Sequence, residues 1–219
     1  MSTFLEQVAN LHRECGATGV APTAVTNQVG QQLRLVNWLA NADYMVQLLH
    51  TDWNFLREEA SLSTTVSDSD VAKPSDLNYW DFETFRLDDE LIDVVEYHDI
   101  RHEILDDSEQ KPSRIIVMPD NSLKLEPVPD DTYAITADYF KKPVRLAAND
   151  DISVIPEPFE LCVLGRAMML YANYENAPEA KTQGSEWYIE FLARLENHSI
   201  PNKKHARFKQ GGHFEVIAE

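Results

Sequence analysis

Hydrophobic spacing divides the chain into a helical beginning, a middle with period two and a helical end. Phe4, Val8, Leu11 and Cys15 recur at the intervals of one helical face, and Thr3 and Glu6 have the spacing of a capping box. Gly16 supplies the stop, because glycine reaches left-handed backbone at little cost. A polar connection through Pro22 and Asn27 leads to a long helix, about Gln28 to Asp52. One of its stripes follows Leu35, Trp38, Leu39, Ala42, Met45, Val46, Leu49 and Trp53; a second follows Val29, Leu33, Val36, Ala40, Tyr44 and Leu48. Only a narrow polar strip around Arg34, Asn37 and Asn41 is left, so this helix is expected to need partners on two sides, some from another subunit.

From about Glu59 to Pro143 the period changes to two, the mark of half-buried strands. Ser61, Ser63 and Thr65 alternate with Leu62 and Thr64. Ile115 and Val117 face Leu123 and Leu125 across the turn Pro119-Asp120-Asn121-Ser122, where Asx residues tolerate the left-handed backbone of a tight turn. Tyr133, Ile135, Ala137 and Tyr139 give the last alternation. Between these strands Tyr97 to Leu105 reads as one short helix, and Val66 to Asn78, rich in Ser and Asp, as a loop.

The helical period returns at Pro156-Glu157-Pro158, since proline fits the first turn of a helix. Phe159, Val163, Ala167, Leu170 and Tyr174 share one face, and Leu161, Leu164, Met168 and Tyr171 a second. Pro178 opens the last helix, with Ala180, Gly184, Trp187, Phe191 and Leu195 inward and Glu186, Glu190 and Arg194 outward. The expected fold is α+β: a bundle of about four helices, from 1–58 and 144–199, interrupted by a β-rich insertion with one short helix at 59–143. An extended C-terminal arm follows at 200–219.

Composition adds limits rather than shape. The 219 residues are ordinary in apolar and aromatic content, enough for one core and an appendage. No apolar run is long enough to span a bilayer, and the N-terminus lacks a secretory pattern, so a soluble, unexported protein without membrane contact is expected. The net charge of -18 argues against gripping a phosphate backbone, because that affinity comes from cations that release counterions. The C-terminal arm departs from this balance. Lys203, Lys204, Arg207 and Lys209 lie with Phe208 and Phe214 in a stretch that has no acid from Ile200 to Phe214. Such a segment suits an arm that orders on a partner, inserting aromatic anchors and pairing its cations with acids.

Signs of catalysis are few. The chain has no nucleophile elbow, glycine-rich phosphate loop, dinucleotide fingerprint or CxxC pair, and no cofactor is expected. His98 and His102 stand four apart beside Glu103 and could share a metal on one helical face, which makes a metal-dependent hydrolase the rival reading. The order is not HExxH, however, and a solvated helix face explains it more simply. Asp120, Asp130 and Asp131 fit turn chemistry, and Cys15 and Cys162 fit small core residues. Trp53, Trp80 and Trp187 could stack a ligand but fit a core better. Arg166, inside the apolar stretch from Leu161 to Ala172, calls for a carboxylate or carbonyl partner, either buried in its own chain or across a subunit interface.

Several segments together resemble the head-to-tail adaptor, or connector, proteins of short-tailed bacteriophages. They are Leu48-Leu49-His50-Thr51-Asp52-Trp53-Asn54-Phe55-Leu56 with the following Glu59 to Thr64; Val94-Val95-Glu96-Tyr97 before Ile100-Arg101; and Pro112-Ser113-Arg114 through Pro127-Val128-Pro129-Asp130. The last is Gly165-Arg166-Ala167-Met168-Met169-Leu170-Tyr171-Ala172, continuing to Tyr174-Glu175 and Ala177-Pro178-Glu179. Their order and spacing from about Leu5 to Pro201 carry the likeness. The resemblance implies a structural, non-enzymatic virion protein at the head-tail junction, made in the host cytoplasm. It implies a ring, typically of twelve copies, between the portal protein and a tail or nozzle protein, with the arm reaching into the portal. DNA would pass through the channel without specific binding. A tail-completion or gatekeeper protein one ring further out is the related alternative.

Overall fold

Thr3 begins the first helix in the way its spacing predicts: its hydroxyl accepts from the Glu6 backbone N–H at 3.3 Å, and the Glu6 carboxylate accepts from the Thr3 N–H at 2.8 Å. The structure, a computed structural model, describes residues 1–200. Helix α1 (Phe4–Glu14) ends before Gly16, whose φ of 60° is left-handed, and α2 (Gly30–Gln47) follows. The second helix is shorter than the expected 28–52. Its N-cap Val29 is extended, and beyond Leu48 the chain turns so that Trp53, fully buried, donates its indole N–H to the Val46 carbonyl at 3.2 Å. The ring that resembled one more helical turn instead satisfies a carbonyl at the end of the helix.

Nine strands follow among the described residues. The first sheet is organised by its longest strand. Strand β1 (Arg57–Ser63) pairs antiparallel with β9 (Ala134–Lys141), from Arg57 opposite Phe140 to Ser63 opposite Ala134. The other edge of β9 is shared by β3 (Leu77–Trp80) and β4 (Arg86–Leu87), and β5 (Glu90–Leu91) closes a tight hairpin on β4. Asp88 and Asp89 make that turn at φ 49° and 67°.

The second sheet has the order β2 (Asp70–Val71), β8 (Leu123–Glu126), β7 (Arg114–Val117), β6 (Asp93–Glu96). Its β7–β8 hairpin turns at Asn121, φ 65°, as the sequence indicates, whereas β6 runs parallel to β7. Ala60, Leu87, Ile135, Ala137 and Tyr139 from one sheet meet Val71, Ile115, Val117, Leu123 and Leu125 from the other in a common core. Buried Trp80 and Phe85 join it.

Two local expectations fail here. The stretch 66–78 is not wholly loop, because β2 and the start of β3 lie in it; two-residue pairings are too short to leave a period. The helix expected at 97–105 is only α3 (Tyr97–Ile100), after which the Glu103 N–H turns back to the Ile100 carbonyl at 2.8 Å.

The chain returns to the bundle through 142–155. A 3-10 turn at Glu157–Phe159 leads into α4 (Glu160–Glu175), which ends at left-handed Asn176, and α5 (Pro178–Ser199) packs along it. Phe4, Val8, Leu35, Leu39, Val46, Val163, Ala167, Met168 and Leu195 belong to this second core, distinct from that of the sheets. The α+β class and the interrupted bundle therefore stand. On α4, however, Tyr174 lies at the solvent rim and Leu170 is only half-buried, and Leu33 of α2 and the residues flanking that helix, Val29 and Leu48, are exposed.

Candidate functional site

Helices α2 and α4 lie against each other in opposite directions, and the ladder along their outer seam shows it. Arg34, near the start of α2, places its guanidinium 3.9 Å from the ring centroid of Tyr174 near the end of α4. Trp38, one turn on, meets Tyr174 at 5.6 Å and Tyr171 edge-on at 6.0 Å. Two turns further, Arg166 reaches the Met45 sulfur at 4.0 Å and lies 5.5 Å from the Tyr188 ring of α5. Positions 34, 38 and 45 fall on one side of α2, and 166, 170 and 174 on one side of α4, by helical spacing. The seam stays partly in water: Met45 is 41% exposed and Tyr174 55%.

Arg166 is thus half-buried, and among the described residues no carboxylate lies within ion-pair distance of it. Its own-chain partners are an aromatic face and a thioether. Cation–π stacking fixes the plane of a guanidinium and leaves its N–H groups free to donate.

Behind the seam lies a buried polar cluster that sequence reading passed over. Asp43 is fully buried on α2 and accepts from the Ser153 hydroxyl and, at 2.6 Å, from the Gln47 amide. Gln47 also grips the Val144 backbone twice, donating to its carbonyl and accepting from its N–H, each at 3.0 Å. The Ser153 oxygen accepts from the Ile155 N–H at 3.1 Å. Burial pushes the Asp43 carboxyl up to about 6, although both hydrogen bonds pull it down. This cluster ties 144–155 to α2 and so fixes where α4 begins. Its signal in the sequence was Asp43 within the stripe of Leu35, Leu39 and Val46, with Gln47 one turn on.

A groove of about 400 Å3 opens between the bundle and the sheets, lined by Tyr44, Leu48, His50, Leu56, Lys142 and Pro143 among others. His50 joins the Glu196 carboxylate at 2.9 Å, and the Tyr79 hydroxyl donates to the Thr51 carbonyl at 2.5 Å, so the groove sits over a braced junction.

The other singled-out residues take structural places. His98 is on α3 and exposed, while His102 follows the end of that helix, so they share no helical face; the His102 ring accepts from Arg101 at 3.1 Å. Among the described residues no three His, Cys, Asp or Glu side chains are grouped to hold a metal. Trp53 and Trp80 are buried, and Trp187 is half-buried against the bundle core. Cys162 is buried and Cys15 half-buried; burial pushes each thiol up to about 12.

The acids in the turns behave as turn acids. The Asp120 carboxylate accepts from the Ser122 side chain and N–H and is held down at about 2. The Asp130 carboxylate accepts from the Tyr133 hydroxyl at 2.7 Å. Lys203, Lys204, Arg207, Phe208, Lys209 and Phe214 lie outside the described residues. No helix of the described residues is long and apolar enough to cross a membrane.

The chain is an α+β subunit, an interrupted helical bundle with an arginine-and-aromatic seam along α2 and α4. A family model described as SU10 adaptor protein matches residues 3–207, and the chain belongs to that family. Membership supports a structural role as a bacteriophage adaptor, in association with other virion components. No curated protein matches the chain.

Proposed function

We propose that this protein is the head-to-tail adaptor of a short-tailed bacteriophage, a ring of twelve copies between the portal protein and a tail or nozzle protein. The observation that carries the reading is the family match over residues 3–207. The half-exposed seam supports it, because a closed ring needs two different adhesive faces on every subunit. The arm of Lys203, Lys204, Arg207, Phe208, Lys209 and Phe214 docks into the portal, where cations meet acids and aromatics fill pockets. The acidic body surrounds the DNA channel and repels phosphate, so the genome slides through without specific binding. No step of this role needs catalysis or a cofactor.

The test is to image the head-tail junction of purified virions and to identify the neck polypeptides by mass spectrometry. The expected result is this chain as a ring of twelve directly beneath the portal. A position one ring further out would make it a gatekeeper, and absence from the neck would refute the proposal.

A further inference from the structure

We propose that the seam between α2 and α4 receives the acidic loop after α3, around Ile104, from a second copy of this chain. The inference rests on the adaptor reading and names the contact through which copies would join.

Each side lacks what the other has. The chain carries 37 acidic and 19 basic residues, yet Arg34 and Arg166 pair with no carboxylate of their own chain among the described residues. Both are held over tyrosine rings, so their donors are oriented before a partner arrives. Met45 and Tyr174 offer apolar surface between them. Exposed arginine, methionine and aromatic side chains are the composition of interface centres, not of ordinary acidic surface.

The complement is on the insertion, where residues 59–143 hold 21 acidic residues against 8 basic ones. Ile104 is 98% exposed, more than any other large hydrophobic among the described residues. Asp106 and Asp107 follow it, and neither pairs with a cation of its own chain among the described residues. Of the two arginines near it in sequence, Arg101 donates to the His102 ring and Arg114 is occupied by Glu103 and Glu126. The Asp106 carboxylate accepts the Ser108 N–H at 2.9 Å but keeps its charge, so an apolar tip followed by two carboxylates without a cation fits a surface with two guanidinium groups without a carboxylate around an apolar centre. Because plug and seam are different surfaces on different parts of the chain, the contact runs head to tail, the kind that closes into rings.

The test is the full chain carrying both Ile104→Cys and Met45→Cys, assembled on portal-bearing heads and oxidised, then run without reductant. Cys162 is buried, Cys15 is half-buried, and burial keeps both native thiols poorly ionised, so the single variants serve as their control. A ladder of covalent multimers is expected from the double variant and none beyond dimer from either single one. Covalent species that stop at dimers would overturn the head-to-tail geometry. Monomers alone, with the protein present in the neck, would overturn this contact and leave the adaptor role standing; absence from the neck would remove both. In parallel, Arg166→Glu should weaken association of copies about thirtyfold or more. Adding Asp106→Arg and Asp107→Arg should restore much of it, and no recovery in a variant that keeps its unfolding midpoint counts against the pairing.

Discussion

Gly165 of α4 and Gly184 of α5 touch backbone to backbone. A Cβ at position 165 would stand 2.6 Å from the Gly184 carbonyl oxygen and 2.8 Å from the Tyr188 nitrogen; one at 184 would stand 2.8 Å from the Gly165 carbonyl oxygen. Neither obstacle is a flexible side chain, so an added methyl must push the helices apart. Gly165→Ala or Gly184→Ala should destabilise the protein by about 1–3 kcal/mol or more through overpacking. The gain of about 1 kcal/mol in helix propensity offsets only part of this. Urea unfolding of each variant measures the outcome, and an unchanged midpoint would show that the helices separate at little cost.

The Asp43 cluster makes stability depend on pH. Its carboxyl is raised from 3.8 to about 6, so the folded chain holds that proton more tightly than the unfolded one. The resulting stabilisation is complete below pH 3.8 and is lost as pH rises through about 6. Relative to Asp43→Asn, the wild type should therefore lose on the order of 2–3 kcal/mol between pH 4 and 7. Asp43→Ala leaves one Gln47 amide N–H and the Ser153 hydroxyl without an acceptor and should cost about 1–3 kcal/mol at pH 7, and more at pH 4, where the wild type holds its extra proton. Paired unfolding curves across that range check both.

Asn121 has two separable roles in the β7–β8 turn. Its backbone is left-handed at φ 65°, and its side-chain amide donates to the Asn78 carbonyl at 3.0 Å. Asn121→Gly keeps the conformation and loses the hydrogen bond, for about 1 kcal/mol. Asn121→Ala loses both, so its thermal midpoint should fall further than that of the glycine variant.

Removing residues 201–219 should leave the bundle folded, because Leu195, the buried Ser199 and Ile200, which packs against the core, all precede the cut. The truncated chain should unfold at the wild-type midpoint but fail to attach to portal-bearing heads. Undiminished attachment would refute the role given to the arm. Replacing His98 and His102 by alanine should leave attachment intact, since the two rings share no helical face and, among the described residues, belong to no group of three possible metal ligands.

Much was legible where burial and local geometry coincide. The capping box at Thr3, the Asn121 turn, the strand of Ile135, Ala137 and Tyr139 and the proline-led helices all involve residues whose preferences act within a few positions. The α+β class follows from the change of period alone. The short strands β2 to β6 were not legible, since β2, β4 and β5 are two residues long and burial along β3 and β6 does not alternate. Nor was the end of α2, where Trp53 continued the stripe in sequence while leaving the helix in space.

By itself the sequence determined the order of elements, the acidic body and the cationic arm, because these depend on spacing and charge along the chain. Only the tertiary structure decided that Asp43 meets Ser153, 110 positions away, that Gly165 meets Gly184, and that Arg166 rests on Tyr188 with no acid beside it among the described residues. Those relationships arise from the way helices dock. The pattern along one helix fixes which face is buried, but the residue that arrives opposite is chosen by the packing of the whole.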